Sequence, residues 1–327
     1  MSTQTTSQQV LYSLDNIKKH YPIKGGILKR VKSHVKAVDG ISLDIYEGET
    51  LGVVGESGCG KSTLGRTILG LEKATEGKMK FKGDDLSEKT ARQLKPYKRE
   101  MQMIFQDPYA SLNPKQRIGD AIEEALLIHT KLSPDERREK VLELLREVGL
   151  KEEHYGRYPH EFSGGQRQRI GIARAISINP SFIVCDEPVS ALDVSVQAQV
   201  IKLLQDLQEK HGLTYMFVSH DLGVVRHLCS RVLVMYLGQM VELAPVEKLY
   251  TNPVHPYTEA LLSAIPRPVV GKRRERIRLT GDLPSPTDPP AGCAFHTRCP
   301  LATEQCKLVR PQWREIEEGH FIACHHK

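Results

Sequence analysis

An α/β fold is predicted for this chain of 327 residues, and three observations predict it. Apolar runs of strand length, at 51–54, 182–185, 215–218 and 232–235, recur with helical or loop sequence between them, which is the alternation of an α/β sheet. The first of these runs passes straight into a glycine-rich loop and then a helical stretch from Thr63 to Leu71. Residues 120 to 150 carry a helical rather than a strand period, so a helical insert interrupts the α/β core.

The individual elements follow from local chemistry. Before residue 54 the chain reads as strands, with Val35, Ala37 and Val38 and then Ile41, Leu43 and Ile45 alternating across a sheet face, and with Gly40 and Gly48 as turns. In the insert, Ser133 is an N-cap, Pro134 occupies the first helical position, and Glu136 closes a capping box. Val141, Leu142, Leu144, Leu145 and Val148 then form one apolar stripe that stops near Gly149. Beyond Ile265, Pro266, Pro268, Pro284, Pro286, Pro289 and Pro290 preclude long regular elements. The expected division is therefore a domain at 1–265, with its helical part at about 107–175, and an extension at 266–327.

Composition excludes several functions. With 39% apolar residues and no run approaching the roughly 18 to 20 apolar residues that span a bilayer, the chain is not expected to form a channel. Its polar first residues, Met1 to Gln9, lack the apolar stretch of a secretory signal, so a cytoplasmic location is expected. A net charge of +6, from 46 basic against 40 acidic residues, is too mild to point to nucleic acid. The basic clusters at 24–34 and 272–278 read as solvated faces. Seven cysteines in such a chain point to metal binding, catalysis or burial rather than disulfides.

Gly55-Glu56-Ser57-Gly58-Cys59-Gly60-Lys61-Ser62 fits the phosphate-loop pattern G-x-x-x-x-G-K-[ST], in the required setting between a strand and a helix. Its glycines let backbone N–H groups converge on phosphates, the helix N-terminus adds positive dipole, Lys61 neutralises terminal phosphate charge, and Ser62 is suited to magnesium. The strand at 182–185 ends in Asp186 and Glu187. In a phosphate-loop protein the first acid is placed to help hold Mg²⁺, and the second to orient or deprotonate the attacking water.

Phe162-Ser163-Gly164-Gly165-Gln166-Arg167-Gln168-Arg169 resembles the signature sequence of the ABC ATPases. The order of other motifs matches that family, with Gln106 resembling its Q-loop glutamine, Ser190-Ala191-Leu192-Asp193 its D-loop and His220 its switch histidine. The resemblance implies an ABC ATPase core with an antiparallel β-subdomain and a helical insert. Tyr21 would stack on adenine. Gly55, Ser57, Gly58, Cys59, Gly60, Lys61, Ser62, Thr63 and Asp186 would contact ATP, and Ser62, Gln106 and Asp186 would hold Mg²⁺. Glu187 would be the general base, with Gln106 and His220 as the other catalytic groups. In the family's head-to-tail dimer, Ser163, Gly164, Gly165, Gln166 and Asp193 would complete the partner's ATP site.

Cys293, Cys299, Cys306 and Cys324 are separated by five, six and seventeen residues. Four thiolates in a stretch with little capacity for a hydrophobic core could form one metal site that supplies folding energy. Zinc and iron–sulfur both remain open, and the absence of a tight C-x₂₋₄-C pair tilts the spacing modestly toward a cluster. The segments 252–258 (NPVHPYT), 281–286 (GDLPSP) and 106–114 (QDPYASLNP) resemble oligopeptide and dipeptide permease ATP-binding subunits, so the likeness covers nearly the whole chain. It implies a 4Fe-4S cluster on the four cysteines, for which a stabilising staple is the simplest role and a redox or iron sensor the sharper one. It also implies a second, different ATPase subunit, two membrane permeases, an extracytoplasmic peptide-binding protein, no nucleic acid, and a peripheral place on the cytoplasmic face of the inner membrane. Importers of nickel or another small ligand, non-transport ABC ATPases and a regulatory metalloprotein are the alternatives.

Overall fold

A computed structural model of the chain describes residues 9–25, 30–109, 111–265 and 276–327. The polar first eight residues, part of each basic cluster, Ala110 of the 106–114 motif, and the 266 boundary with Pro266 and Pro268 lie outside the described residues. In chain order the elements begin with β1 (Val10–Gly25), β2 (Arg30–Tyr46), β3 (Thr50–Val54), α1 (Lys61–Ile68), β4 (Glu76–Phe81) and β5 (Asp84–Asp85). There follow α2 (Ala91–Glu100), β6 (Met101–Ile104), α3 (Ile118–His129), α4 (Pro134–Glu147), α5 (Gly164–Ile176), β7 (Phe182–Asp186), α6 (Val194–His211) and β8 (Thr214–Ser219). The last are α7 (Leu222–Leu228), β9 (Arg231–Tyr236), β10 (Gln239–Pro245), α8 (Val246–Thr251), α9 (Pro256–Ser263), α10 (Glu304–Leu308), β11 (Arg314–Glu317) and β12 (His320–Ile322). Among the described residues no helix is long and apolar enough to cross a membrane.

Two compact units result, Met1–Glu88 with Ser219–Lys327, and Lys89–Val218. In the first, β2, β1, β4 and β5 form an antiparallel sheet in that order. The apolar alternation predicted around 35–45 is present, but Gly40 is not a turn. It lies inside β2 at φ +88°, between the pairs Ile17↔Ile41 and Lys18↔Asp39, as the extra residue of a β-bulge whose left-handed backbone suits glycine. Gly48 does turn the chain, at φ +74°. The fully buried β3 runs parallel to β9, and β9 continues antiparallel through β10 and β12 to β11. Helix α1 covers residues 61–68 rather than 63–71, because the loop glycines wind directly into it and Gly70 leaves it at φ +64°.

The extension was expected to hold little core, yet it contributes one. Phe295 is buried, with its ring 5.2 Å from that of Tyr236 on β9 and 5.3 Å from that of Tyr257 on α9. Burying a ring of this size contributes about 2 kcal/mol or more, and β12 adds two further pairs to the edge of β10. The four-cysteine segment is thus tied down by aromatic packing and strand addition, neither of which proline spacing reveals.

Beside it, Glu242 is fully buried and accepts from the backbone N–H groups of Val254 and His255, while His320 Nε2 lies 2.8 Å from its Oε1. His255 caps α9 by accepting the Tyr257 N–H at Nδ1, 3.1 Å away, so protonation would both charge a buried ring and break the cap. Burial accordingly pushes its pKa down to about 4 from 6.5, against the opposing pull of Glu242. Between these two values the unfolded chain binds more protons than the folded one, so stability rises with pH across that window and is lost as pH falls through it. The loss from this group approaches about 3 kcal/mol. Melting temperatures between pH 7 and pH 5 should fall in the native protein and fall less in His255→Asn, whose amide oxygen can still cap; parallel curves would refute the assignment.

The second unit places β6, β7 and β8 side by side, all parallel, with α3, α4 and α5 forming the predicted helical insert. Ser133 and Glu136 make the expected capping box, and Gly149 ends the segment at φ +75°. Val141, Leu144, Leu145 and Val148 are buried, but Leu142 is only half-buried, because it falls about a third of a turn off the stripe.

Candidate functional site

The phosphate loop lies between β3 and α1. Gly55, Gly58 and Gly60 have φ values of +152°, +80° and +102°, and a methyl group on Gly60 would stand 1.9 Å from the Ala37 carbonyl oxygen. Gly60 is the N-cap of α1 and supplies no side-chain acceptor, so the dipole of the helix end is left to an anion. Lys61, 4% exposed, donates from Nζ to the carbonyl oxygens of Gly55 at 2.8 Å and Glu56 at 3.0 Å. Its ammonium is thereby held over the loop. Cys59 is buried, and burial raises its thiol pKa despite the nearby Lys61 charge, so it stays protonated and packs. Ser57 is exposed and Ser62 and Thr63 are half-buried.

Tyr21 on β1 belongs to the same unit, and its hydroxyl hydrogen-bonds to Thr63 and Glu72, with burial and Glu72 together raising its pKa. Lys19 Nζ lies 4.7 Å from the centre of its ring. The structure therefore brings the expected adenine-facing aromatic to the helix that follows the phosphate loop. His220 is exposed just past β8, and the following Asp221 caps α7 by accepting the Gly223 N–H at 2.7 Å.

In the other unit, Asp186 is 2% exposed at the end of β7. The next residue, Glu187, has φ +46°, a left-handed conformation that costs a non-glycine residue on the order of 1–3 kcal/mol. It is held there by its N–H, which donates to Val218 on β8 at 3.0 Å, and by its carbonyl, which accepts from the Ser190 hydroxyl at 3.1 Å. Gln106 Nε2 donates to Glu187 Oε2 at 3.1 Å. Two residues 81 positions apart, singled out separately from sequence, thus meet.

Ser163 caps α5 and forms a capping box with Gln166, the two bonds being 3.0 and 3.3 Å. Ser163 and Gly164 are exposed at that helix end. A methyl group on Gly165 would meet Val196 Cγ1 at 2.4 Å, so glycine is needed for α5 to pack on α6. Asp193 caps α6, accepting from the Val196 N–H at 3.0 Å and the Ser195 hydroxyl at 2.7 Å, which lowers its pKa. One surface of this unit therefore presents the Ser163–Gln166 helix end close to the Asp193 segment, since a Cβ on Gly164 would stand 3.5 Å from Leu192.

Cys306 and Cys324 lie close enough to Cys293 and Cys299 to act on the ionisation of those two thiols. Burial, followed by the other three thiols, pushes Cys293 up to about 11, and burial, followed by Cys324 and Cys306, raises Cys299. The donor set suits a soft metal centre. The side chains are nevertheless not arranged as a closed site, because no group of three or more His, Cys, Asp or Glu among the described residues is placed to hold a metal ion. Cys306 instead lies 3.4 Å from both Thr303 Oγ1 and His326 Nε2.

Sequence reasoning missed Glu56, Tyr257 and Arg298. The Glu56 N–H donates to the Tyr257 hydroxyl at 2.9 Å, and Arg298 donates to both Glu56 carboxylate oxygens, at 2.6 and 3.0 Å. Tyr257 stood within the 252–258 motif, but no local pattern distinguishes a tyrosine that reaches a loop 201 residues away.

Residues 38–190 match the ABC transporter family, and residues 241–306 match the C-terminal region of oligopeptide/dipeptide transporters. The chain is 56% identical to the oligopeptide transport ATP-binding protein AppF of Bacillus subtilis, covering 98% of each. It is 51% identical to the dipeptide transport ATP-binding protein DppF of Escherichia coli, covering 99% of this chain and 97% of that one. Among solved structures, the dimeric post-hydrolysis state of the ATP-binding cassette MJ0796 bound to ADP and Pi covers 72% of this chain, at 31% identity and a TM-score of 0.65.

Proposed function

The chain belongs to the ATP-binding subunits of the ABC oligopeptide/dipeptide transporters, and from that premise we propose that it hydrolyses ATP to power peptide import across the bacterial inner membrane. The observation that carries the reading is its 51–56% identity, over nearly its whole length, to ATP-binding proteins named for oligopeptide and dipeptide transport. Dipeptides and oligopeptides are the substrate class, bound by other subunits and never by this chain.

The residue roles we assign are those expected of the motifs. Gly55, Ser57, Gly58, Cys59, Gly60, Lys61, Ser62 and Thr63 would receive the triphosphate, with Lys61, aimed by its bonds to the two loop carbonyls, offering its remaining N–H to phosphate oxygens and Tyr21 stacking on adenine. Mg²⁺, when bound, would neutralise phosphate charge, and the hydroxyl of Ser62, the amide of Gln106 and the carboxylate of Asp186 are hard oxygen donors of the kind it takes. Glu187 would accept the proton of the attacking water, with Gln106 holding its carboxylate in place and His220 contacting the γ-phosphate. Ser163, Gly164, Gly165, Gln166 and Asp193 would serve the ATP site of the partner subunit.

The partner we propose is a second, different ATPase subunit. The assembly would add two permeases and an extracytoplasmic peptide receptor, and the subunit would lie on the cytoplasmic face, where ATP is. Residues 1–265 would form the nucleotide-binding domain, with its helical part at about 107–175, and residues 266–327 the extension.

The finer reading of that extension is a 4Fe-4S cluster on Cys293, Cys299, Cys306 and Cys324, serving as a structural staple. A cationic cluster core would favour the thiolate forms that burial disfavours at Cys293 and Cys299. Purified anaerobically, Cys299→Ser should lose iron and sulfide together and melt at a lower temperature; full iron content with unchanged melting would sink the ligand assignment.

The transport role is tested by ATPase activity of the complete transporter in lipid, with its receptor empty or loaded with dipeptides, longer peptides or nickel. Stimulation by peptides is the expected result. Stimulation by nickel alone, or by none of these, would overturn the peptide assignment.

A further inference from the structure

The contact between Glu56 and the C-terminal half of the chain does more than join two segments. The Gly55–Glu56 peptide unit is fixed from outside, because its N–H donates to Tyr257, and its carbonyl, on Gly55, is one of the two that hold Lys61. The second carbonyl that holds Lys61 is that of Glu56, whose side chain Arg298 grips at both oxygens. A bidentate guanidinium–carboxylate pair fixes direction as well as distance. Arg298 is itself buried, its neighbouring residues are wound into successive turns, and Phe295 anchors them between Tyr236 and Tyr257. The extension also reaches the strand under the loop. Lys36 N–H donates to Pro286, and Arg310 donates to the carbonyl of Asp39, at 3.0 and 2.9 Å, on either side of Ala37, whose carbonyl faces Gly60.

We infer that Arg298 and Tyr257 are positioning residues for ATP binding, by which the C-terminal extension, through Arg298, and helix α9, through Tyr257, hold the phosphate loop and Lys61 in the form that receives the triphosphate. This rests on the reading of residues 55–62 as the ATP phosphate site. It assigns the extension a part in the reaction that its cysteines alone do not suggest, since the residue immediately before Cys299 acts, through Glu56, on the loop that receives the nucleotide.

The test is the affinity of the full chain for MgATP, by calorimetry, together with KM and kcat of the assembled transporter. Arg298→Ala should weaken MgATP binding about tenfold and raise KM more than it lowers kcat, with Arg298→Lys recovering part of the loss. Glu56→Ala leaves a buried guanidinium unpaired, so the double variant Glu56→Ala/Arg298→Ala should be less impaired than the product of the single effects. Tyr257→Phe keeps the ring packing and removes only the acceptor, and should weaken binding two- to threefold even if Arg298→Ala fails to fold. Lower melting temperatures with unchanged MgATP affinity in Tyr257→Phe and Arg298→Lys would overturn the inference. Lys61→Ala separates the two levels: loss of binding there with normal binding in the Arg298 and Tyr257 variants refutes the positioning role alone, whereas normal binding in Lys61→Ala refutes the phosphate site itself.

Discussion

Glu187→Gln should lower ATP turnover by about 10²–10⁴-fold, the range contributed by a positioned general base, while leaving MgATP binding intact. The structure makes the substitution clean. The backbone of residue 187 is held by its own N–H to Val218 and its carbonyl to Ser190 in a left-handed conformation, bonds that glutamine makes as well. Glutamine has the same length and can still meet Gln106, so what is removed is the capacity to take a proton. Phosphate release by the assembled transporter at saturating ATP, set beside nucleotide affinity of the variant, reads both halves of the prediction. A loss of less than tenfold would move the base elsewhere, and a parallel loss of affinity would make Glu187 a binding group instead.

Gly60→Ala should weaken MgATP binding at least 100-fold, for a steric rather than a chemical reason. The added carbon would stand 1.9 Å from the Ala37 oxygen and 3.1 Å from its carbonyl carbon, and backbone does not yield as a side-chain tip does. Ala37 cannot move easily, since its neighbours Lys36 and Val38 are paired with β1 and Asp39 donates to Gly238 at 2.8 Å. The loop must therefore shift, and with it Lys61 and the first turn of α1. Residue 60 also sits at φ +102°, which adds on the order of 1–3 kcal/mol of strain. Gly58→Ala provides the comparison: its φ is also positive, at +80°, but nothing lies within 4 Å of the added carbon. It should bind MgATP much more tightly than Gly60→Ala; equal losses would mean that backbone strain, not the Ala37 contact, governs the loop.

What was legible in the sequence was whatever is local. The phosphate loop, the Ser133 capping box, the strand ending in Asp186 and Glu187, and the signature around Ser163 each fit within about ten residues, and short-range patterns specify them. The errors were also local in kind. Gly40 satisfies a turn pattern and a bulge pattern equally well, and only the partner strand decides between them. The extension's sequence promises little core because proline spacing says nothing of Phe295 finding Tyr236 and Tyr257. The meeting of Gln106 with Glu187 and the grip of Arg298 on Glu56 depend on tertiary packing, for which one sequence has no code. The four cysteines were conspicuous as a set, yet their count predicts a shared site more strongly than the arrangement of their side chains supports.

The Arg298–Glu56 pair spans 242 positions, and that separation has a consequence for biogenesis. At about 5–20 residues per second of synthesis, the phosphate loop leaves the ribosome on the order of 10–50 s before the arginine that grips it. A nascent chain therefore carries the nucleotide motif long before its brace exists, and a chain truncated ahead of residue 298 never acquires it. If Arg298 acts as inferred, a fragment released early holds its phosphate loop without that brace and binds nucleotide more weakly than the finished chain.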